Sequence, residues 1–309
     1  MQIKNKVILF VICILEIFFL HSFVHADEFN ISASEIVLDK ENNTVVGKGS
    51  VVATDSEGRI ISADNIIYKK NKELLIASGS VKVQDLEKNT VKTENLSYDK
   101  INELIVAETN SELLLNEGYN LKSNKIFYDT KLKTIASNEN SILTDNEGNT
   151  IEVTMFQYFI EKKLFSSVGN IKVVDSKKNK YFFKELHVDT KKKEMVGSEV
   201  SVILDQESFG VSEESDPRFV ANNILIKENK TDLSKGVFTV CKKRDGKCPP
   251  WTLKAKKITH DQIKKTIYYE HATLKLYDIP IFYFPKFFHP DPTVKRQSGF
   301  LAPFFTNTT

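Results

Sequence analysis

The chain has 309 residues, with 43 Lys and Arg against 41 Asp and Glu and a formal net charge of +2. Hydrophobic residues make up 41% and charged residues 27%, which is typical of a folded protein and excludes an intrinsically disordered one. The charge is uneven, because residues 241–297 hold 13 Lys and Arg but only 5 Asp and Glu. This basic end indicates either an anionic partner or a solvated lysine face.

Residues 1–26 are predicted to be a secretory signal peptide. Lys4 and Lys6 precede the apolar stretch Val7–Leu20, and Val24 and Ala26 fit the positions before a cleavage site. The apolar stretch is shorter than the ~20 residues of a spanning helix, which favours cleavage over a membrane anchor. The sequence therefore predicts an exported protein.

Residues 31–210 form six consecutive rows of thirty residues without an insertion. Two positions of each row are apolar or aromatic, and one is small. The first apolar column is Ile36, Ile66, Leu96, Ile126, Phe156 and Leu186; the second is Leu38, Tyr68, Tyr98, Tyr128, Tyr158 and Val188; the small column is Gly47, Ala77, Ala107, Ser137, Ser167 and Gly197. Each row has turn residues in two fixed places, so one row is predicted to be two β-strands and two turns.

The apolar positions change parity within the first strand of each row. Because strand side chains alternate between faces, a bulge or bend near residues 34–35 of each row is needed to turn both sets inward. The prediction is an all-β fold, a jellyroll of stacked antiparallel hairpins forming a V-shaped two-sheet trough. The predicted inward-facing residues are Ile36, Ile66, Tyr68, Leu96, Tyr98, Ile126, Tyr128, Phe156, Tyr158, Leu186, Ile224 and Ile258. The period itself does not distinguish an open trough from a closed, packed core.

The register breaks after residue 210 and then returns for two more rows, in which Ile224 and Ile258 extend the first apolar column. Between these rows lie Cys241 and Cys248, the only cysteines after the signal peptide. In an exported protein they are predicted to close a small disulfide loop. A zinc site is the alternative, but it needs two further ligands that the loop does not supply.

The last segment, residues 280–309, is rich in proline and aromatic residues. Because Pro280, Pro285, Pro290 and Pro292 lack a backbone donor, this segment is predicted to pair incompletely with a neighbouring strand. The result is a weak seam, with a plain rigid linker as the alternative.

One group of residues with reactive side chains is present near this end: His260, Asp261, Glu270, His271, His289 and Asp291. His260 and Asp261 occupy the place of the turn-entry pairs Tyr98–Asp99 and Tyr128–Asp129, which favours a structural role. No nucleophile, phosphate-loop or zinc motif accompanies them. We therefore expect no enzymatic activity, no cofactor, no metal site and no nucleic-acid binding.

The thirty-residue rows resemble the OstA-like repeat of lipopolysaccharide-transport proteins. The segments "FTVCKKRDGKCPPWTLKAKKITHD", "YYEHATLKLYDIPIFYFPKFFHPDP" and "KRQSGFLAP" are similar to the junction region of the LptD family of outer-membrane assembly proteins. The repeat alone is shared with the LptA family of periplasmic bridge proteins. Together the two signals cover nearly the whole chain after residue 26.

The resemblance implies a periplasmic OstA-like β-jellyroll at residues 27–279, and a junction with the first strand of an outer-membrane barrel at residues 280–309. The rest of that barrel is absent from this sequence, which is expected to be part of a longer protein. Lipopolysaccharide would place its lipid A acyl chains in the trough and leave through a lateral gate at the prolines. Implied partners are an LptA-like bridge at the N-terminal edge strand, an LptE-like lipoprotein and the outer membrane. A stand-alone LptA-like bridge is the main alternative, and a secreted β-solenoid adhesin is a third reading.

Overall fold

The protein folds as one continuous antiparallel β-sheet in a computed structural model that describes residues 29–209, 214–242, 249–290 and 294. A single 3₁₀ turn at Lys70–Lys72 and a short helix α1 at Gln206–Phe209 are its described helical segments. None of the helices in this part of the chain has the length and hydrophobicity to cross a bilayer. The strands are β1 Asn30–Ser32, β2 Glu35–Asp39, β3 Thr44–Thr54, β4 Ile60–Lys69, β5 Leu74–Gln84, β6 Thr90–Asp99, β7 Leu104–Leu114, β8 Asn120–Asp129, β9 Thr134–Ser137, β10 Ser141–Thr144, β11 Thr150–Val153, β12 Phe156–Phe159, β13 Leu164–Val174, β14 Lys180–Asp189, β15 Glu194–Ile203, β16 Arg218–Lys227, β17 Lys230–Thr239, β18 Trp251–Asp261, β19 Thr266–Leu276 and β20 Ile279–Pro290.

Each strand position pairs with the next position along the chain, so the sheet is a meander of hairpins. Three strand positions are split into two short strands each: β1 with β2, β9 with β10, and β11 with β12. The all-β fold class is confirmed. The two predicted sheets are the two halves of one sheet, because most strands run through the bend without ending. At about 4.8 Å per strand, the stack is roughly 75 Å long.

The bend predicted near residues 34–35 of each row is present. In rows two and three the pairing shifts around residues 64 and 94, each of which is opposed by two residues of the preceding strand. The extra residues have positive φ: Gly49 (74°) and Ser50 (49°) lie on β3, and Gly79 (78°) and Ser80 (47°) lie on β5. Such a bulge bends a strand sharply and changes which face its side chains occupy.

Small hydroxyl side chains at the bend donate hydrogen bonds to nearby backbone carbonyls. Thr93 donates to the carbonyl of Glu108 at 2.7 Å, Ser137 to that of Lys125 at 2.7 Å, and Ser167 to that of Met155 at 2.6 Å. All three hydroxyl residues are buried. A hydrogen bond of this kind typically contributes about 0.5–1.5 kcal/mol, so these bonds stabilise the bend.

The turns at the two strand ends form two rims that face each other across the mouth of the bent sheet. The basic rim comprises the turns at 39–43, 69–73, 99–103, 129–133, 159–163 and 189–193, with 12 Lys and 8 Asp or Glu. The acidic rim comprises the turns at 55–59, 85–89, 115–119, 145–149 and 175–179, with 8 Asp or Glu and 4 Lys or Arg. Opposite net charges on the two rims favour their approach.

The proline-rich segment pairs with its neighbour, but not at every position. β20 pairs with β19 from Pro290 opposite Thr266 to Ile279 opposite Leu276, and the register shifts between Leu274 and Lys275, beside Pro280. Pro285 is not among the paired positions, whereas Pro290 is. The weak seam expected of these prolines stays a prediction. As the last described strand, β20 needs donors on one side only, and proline is tolerated on such an edge. Pro292 and the signal peptide lie outside the described residues.

Candidate functional site

The interior of the bent sheet is lined by the predicted apolar columns. Ten of the twelve predicted inward-facing residues are buried: Ile66, Tyr68, Leu96, Tyr98, Ile126, Phe156, Tyr158, Leu186, Ile224 and Ile258. Tyr128 is half-buried and packs against the same residues. They belong to one hydrophobic cluster that extends from Phe29 to Ala272. The apolar interior is therefore continuous along the stack.

Ile36 differs from the rest of its column, because 45% of its surface is exposed. It lies opposite Gly47, which lies opposite Ile66, so its side chain is on the inward face as predicted. No preceding row covers that face within the described residues. Exposure of Ile36 thus follows from its place in the first row of the stack.

Four cavities follow one another along the mouth between the two rims, with volumes of about 140, 30, 540 and 440 Å³ from the N-terminal side. Neighbouring cavities share wall residues: Tyr158 lines the first two, Phe165 the second and third, and Tyr181 the third and fourth. The site is therefore an apolar groove with a packed floor and a mouth of varying width. The smallest of the four cavities, about 30 Å³, is lined by residues of rows three to six.

A buried charged cluster closes the groove wall near its N-terminal end. Arg59 donates to Asp55 at 2.6 Å and to the Tyr98 hydroxyl at 2.6 Å, and Asp55 and Arg59 are each 6% exposed. The sequence analysis missed this cluster. Its signal was present, because Arg59 stands in a turn column that otherwise holds Asn89, Tyr119, Asn149 and Asn179.

Three phenol groups of the groove wall, those of Tyr98, Tyr128 and Tyr181, have raised pKa values and are neutral at physiological pH. Burial raises the pKa of Tyr98 to about 12, although the nearby Arg59 lowers it. Burial also raises the pKa of Tyr128 and of Tyr181, whose hydroxyl donates to Asp175 at 2.9 Å. The wall therefore offers aromatic surface and neutral hydroxyls, which suits an apolar ligand better than an ionic one.

The other predicted sites are only partly described. Cys241 is half-buried, and its proposed disulfide partner Cys248 lies outside the described residues. Among the clustered histidines, His289 is buried against the Tyr269 hydroxyl at 3.0 Å, and His271 contacts the Tyr283 hydroxyl at 2.6 Å. Within the described ranges, no three His, Cys, Asp or Glu residues are grouped closely enough to hold a metal ion.

Comparison with known proteins gives matches among solved structures. No family model matches the chain, and no curated protein sequence matches it. Among solved structures, the chain is similar to LptH, the LptA-homologous periplasmic component of the lipopolysaccharide transport device from Pseudomonas aeruginosa. The identity is 20% and the TM-score 0.32, over 35% of this chain and 80% of that one.

Proposed function

We propose that this chain carries lipopolysaccharide through the periplasm, with the acyl chains in the apolar groove and the phosphates and sugars outside the rims. The observation that supports this most is the line of cavities along one mouth above a continuous apolar interior. Each CH₂ group kept from water contributes about 0.8 kcal/mol, so acyl chains need such cover during transfer. The role is non-enzymatic and uses no cofactor or metal.

Movement of acyl chains along the groove requires that no single row binds them too strongly. The wall repeats similar Ile, Leu, Phe and Tyr side chains from row to row, so successive levels offer similar apolar surface. The neutral phenols add no fixed charge to the wall. This arrangement suits transfer between levels better than tight binding at one level.

The finer proposal is an LptD-like role in inserting lipopolysaccharide into the outer membrane. On the N-terminal side, β1 and β2 pair only with β3 in the described part of the chain, which leaves an edge for an LptA-like bridge. On the C-terminal side, β20 exposes Phe282, Tyr283 and Phe288 at 59%, 58% and 63%. We place an LptE-like lipoprotein and the outer membrane beyond this end.

The alternative is a stand-alone LptA-like bridge, which uses the same groove. Fractionation of cells that carry an epitope in the exposed turn at residues 145–149 separates the two. Recovery with the outer membrane supports the LptD-like role, and recovery in the soluble periplasm supports the bridge.

Photo-crosslinking tests the groove itself. A photo-reactive phenylalanine at Tyr158, which is buried and lines two cavities, is expected to capture lipopolysaccharide in growing cells. Gln157 is the matched control, because it is the next residue on the same strand and is exposed on the opposite face. Equal capture at both positions, or capture at Gln157 alone, would contradict the proposal.

A further inference from the structure

One ion pair crosses the mouth of the groove. The Lys163 ammonium donates to the Glu117 carboxylate at 2.7 Å, although the residues are 46 positions apart in the sequence. Glu117 lies on the acidic rim between β7 and β8, and Lys163 lies on the basic rim between β12 and β13. By contrast, Lys172 and Glu152 form a pair of similar length, 2.8 Å, between directly opposed residues of β13 and β11. The Glu117–Lys163 pair therefore joins the two rims.

This pair lies beside the smallest of the four cavities of the groove. Both residues line the 140 Å³ cavity, and Glu117 also lines the 540 Å³ cavity. Between these cavities is a smaller one of about 30 Å³, the constriction, which shares Leu115 and Tyr158 with the first cavity and Tyr119 with the second. A cavity of 140 Å³ is smaller than the roughly 300–1,000 Å³ of sites that bury a drug-sized ligand. Long acyl chains thus require the mouth to widen at this level, and widening separates Glu117 from Lys163.

Lys163 is the cation of this wall that can exchange its partner. The other cation lining the 140 Å³ cavity, Arg59, is held by Asp55 at 2.6 Å and Glu57 at 3.3 Å. The side chains of Lys163 and Glu117 are 34% and 47% exposed, and ion pairs with that exposure contribute little to stability. The pair therefore opens and closes readily, and an anion arriving from solvent competes directly with Glu117.

We propose that Glu117 and Lys163 form a clasp that closes the empty groove and opens when the anionic headgroup of an amphiphile replaces Glu117 on Lys163. The inference rests on the proposed function and specifies how the groove admits its ligand. Opening the clasp frees the rims to separate above the constriction, so that an acyl chain passes from the smaller cavity into the larger one. The charge of the headgroup is thereby coupled to entry of the acyl chain into the groove.

The binding affinities of two probes test the clasp. Dodecyl phosphate is anionic and dodecyl maltoside is neutral. Each is titrated as a monomer into the full chain, and the heat of binding is measured by calorimetry. Lys163→Gln is expected to weaken binding of dodecyl phosphate by roughly twofold to fivefold. Glu117→Gln is expected to strengthen it by a similar factor, because the competing carboxylate is gone. Neither variant is expected to weaken binding of dodecyl maltoside.

A matched control and a distance measurement complete the test. Lys172→Gln removes an ion pair of similar length and exposure from two neighbouring strands, so it is expected to leave both affinities unchanged. Spin labels are placed at Asn116→Cys and Glu161→Cys, next to the clasp on opposite rims. The distance between the labels is expected to increase when dodecyl phosphate binds. It is also expected to be longer in the Glu117→Gln variant without ligand. Effects of the same sign in both clasp variants, or an unchanged label distance, overturn the clasp. Failure of the parent chain to bind either probe overturns the proposed function as well.

Discussion

At the bend of each strand, the size of one side chain decides whether the two halves of the sheet fit together. The small column predicted from the sequence occupies this place, and Ala77, Ala107, Ser137 and Ser167 are all buried. A Cβ atom at Gly197 would lie 2.6 Å from Cε1 of Phe183 and 3.3 Å from the carbonyl oxygen of Glu185. The φ of Gly197 is not in the left-handed region, so backbone conformation does not require a glycine there. Glycine is required because a larger side chain has no space.

Gly197→Ala is therefore expected to destabilise the protein by about 1–3 kcal/mol, the usual cost of overpacking a core. Urea denaturation measures the change. The matched background is Phe183→Leu, which removes the ring that the new methyl group would contact. The cost of Gly197→Ala is expected to be smaller in that background, and an equal cost in both backgrounds would show that the clash is not its cause.

At the scale of the hairpin, the acidic-rim turns connect one row to the next. The side chain of Asn149 donates to Asp145 at 2.7 Å in its own turn, and its oxygen accepts the backbone N–H of Ser176 at 2.9 Å in the following row. Asn89 and Asn179 accept equivalent bonds from Asn116 and Asp205. These asparagines hold the acidic rim in register along the stack.

Asn149→Ala is expected to cost about 1–2 kcal/mol, because it removes two side-chain hydrogen bonds. Hydrogen exchange measured by mass spectrometry is expected to become faster in the turn at 175–179, where Ser176 loses its acceptor. Asn146→Ala is the control, since the exposed Asn146 makes only a 3.5 Å contact with the Glu117 carbonyl. Comparable acceleration in the two variants would argue against a specific connection between rows.

On the scale of the whole molecule, the meander makes each strand depend mainly on its two neighbours. Trp251, the only tryptophan, is 4% exposed and packs edge-on against Phe238 at 6.1 Å, so its fluorescence reports the C-terminal rows. Stacked repeats of this kind lose structure locally, because each repeat is stabilised mainly by the repeats next to it. The continuous hydrophobic cluster joins each row to nearby rows, as where Phe29 contacts both Tyr68 and Tyr98.

Replacement of a buried isoleucine at each end tests this local behaviour. Ile66 and Ile258 are 0% and 1% exposed, and substitution by alanine is expected to cost about 2–5 kcal/mol at either site. Ile258→Ala is expected to lower the urea midpoint of Trp251 fluorescence. Ile66→Ala is expected to leave that midpoint unchanged and to speed hydrogen exchange in residues 44–84. Equal shifts of the fluorescence midpoint would instead indicate that the stack unfolds as one unit.

The fold was predictable because its repeating unit is short. Strand composition, turn residues and the parity change near residue 34 all act within one thirty-residue row, and six rows in register repeat the same evidence. The buried columns followed from this period. The extent of β20 pairing could not be predicted from the sequence, since an edge strand needs backbone donors on one side only and proline composition does not reveal which side is paired.

The amino-acid sequence by itself determined the repeat, the bend and the inward face, because these depend on backbone geometry and side-chain size within a single row. Only the tertiary structure decided how wide the mouth is and which residues meet across it. The bends and twist of the intervening strands bring Glu117 and Lys163 within 2.7 Å of each other. The combined effect of these bends and twists cannot be predicted from the pattern within one row. The same cumulative geometry sets the cavities at about 30 Å³ in one place and 540 Å³ in the next.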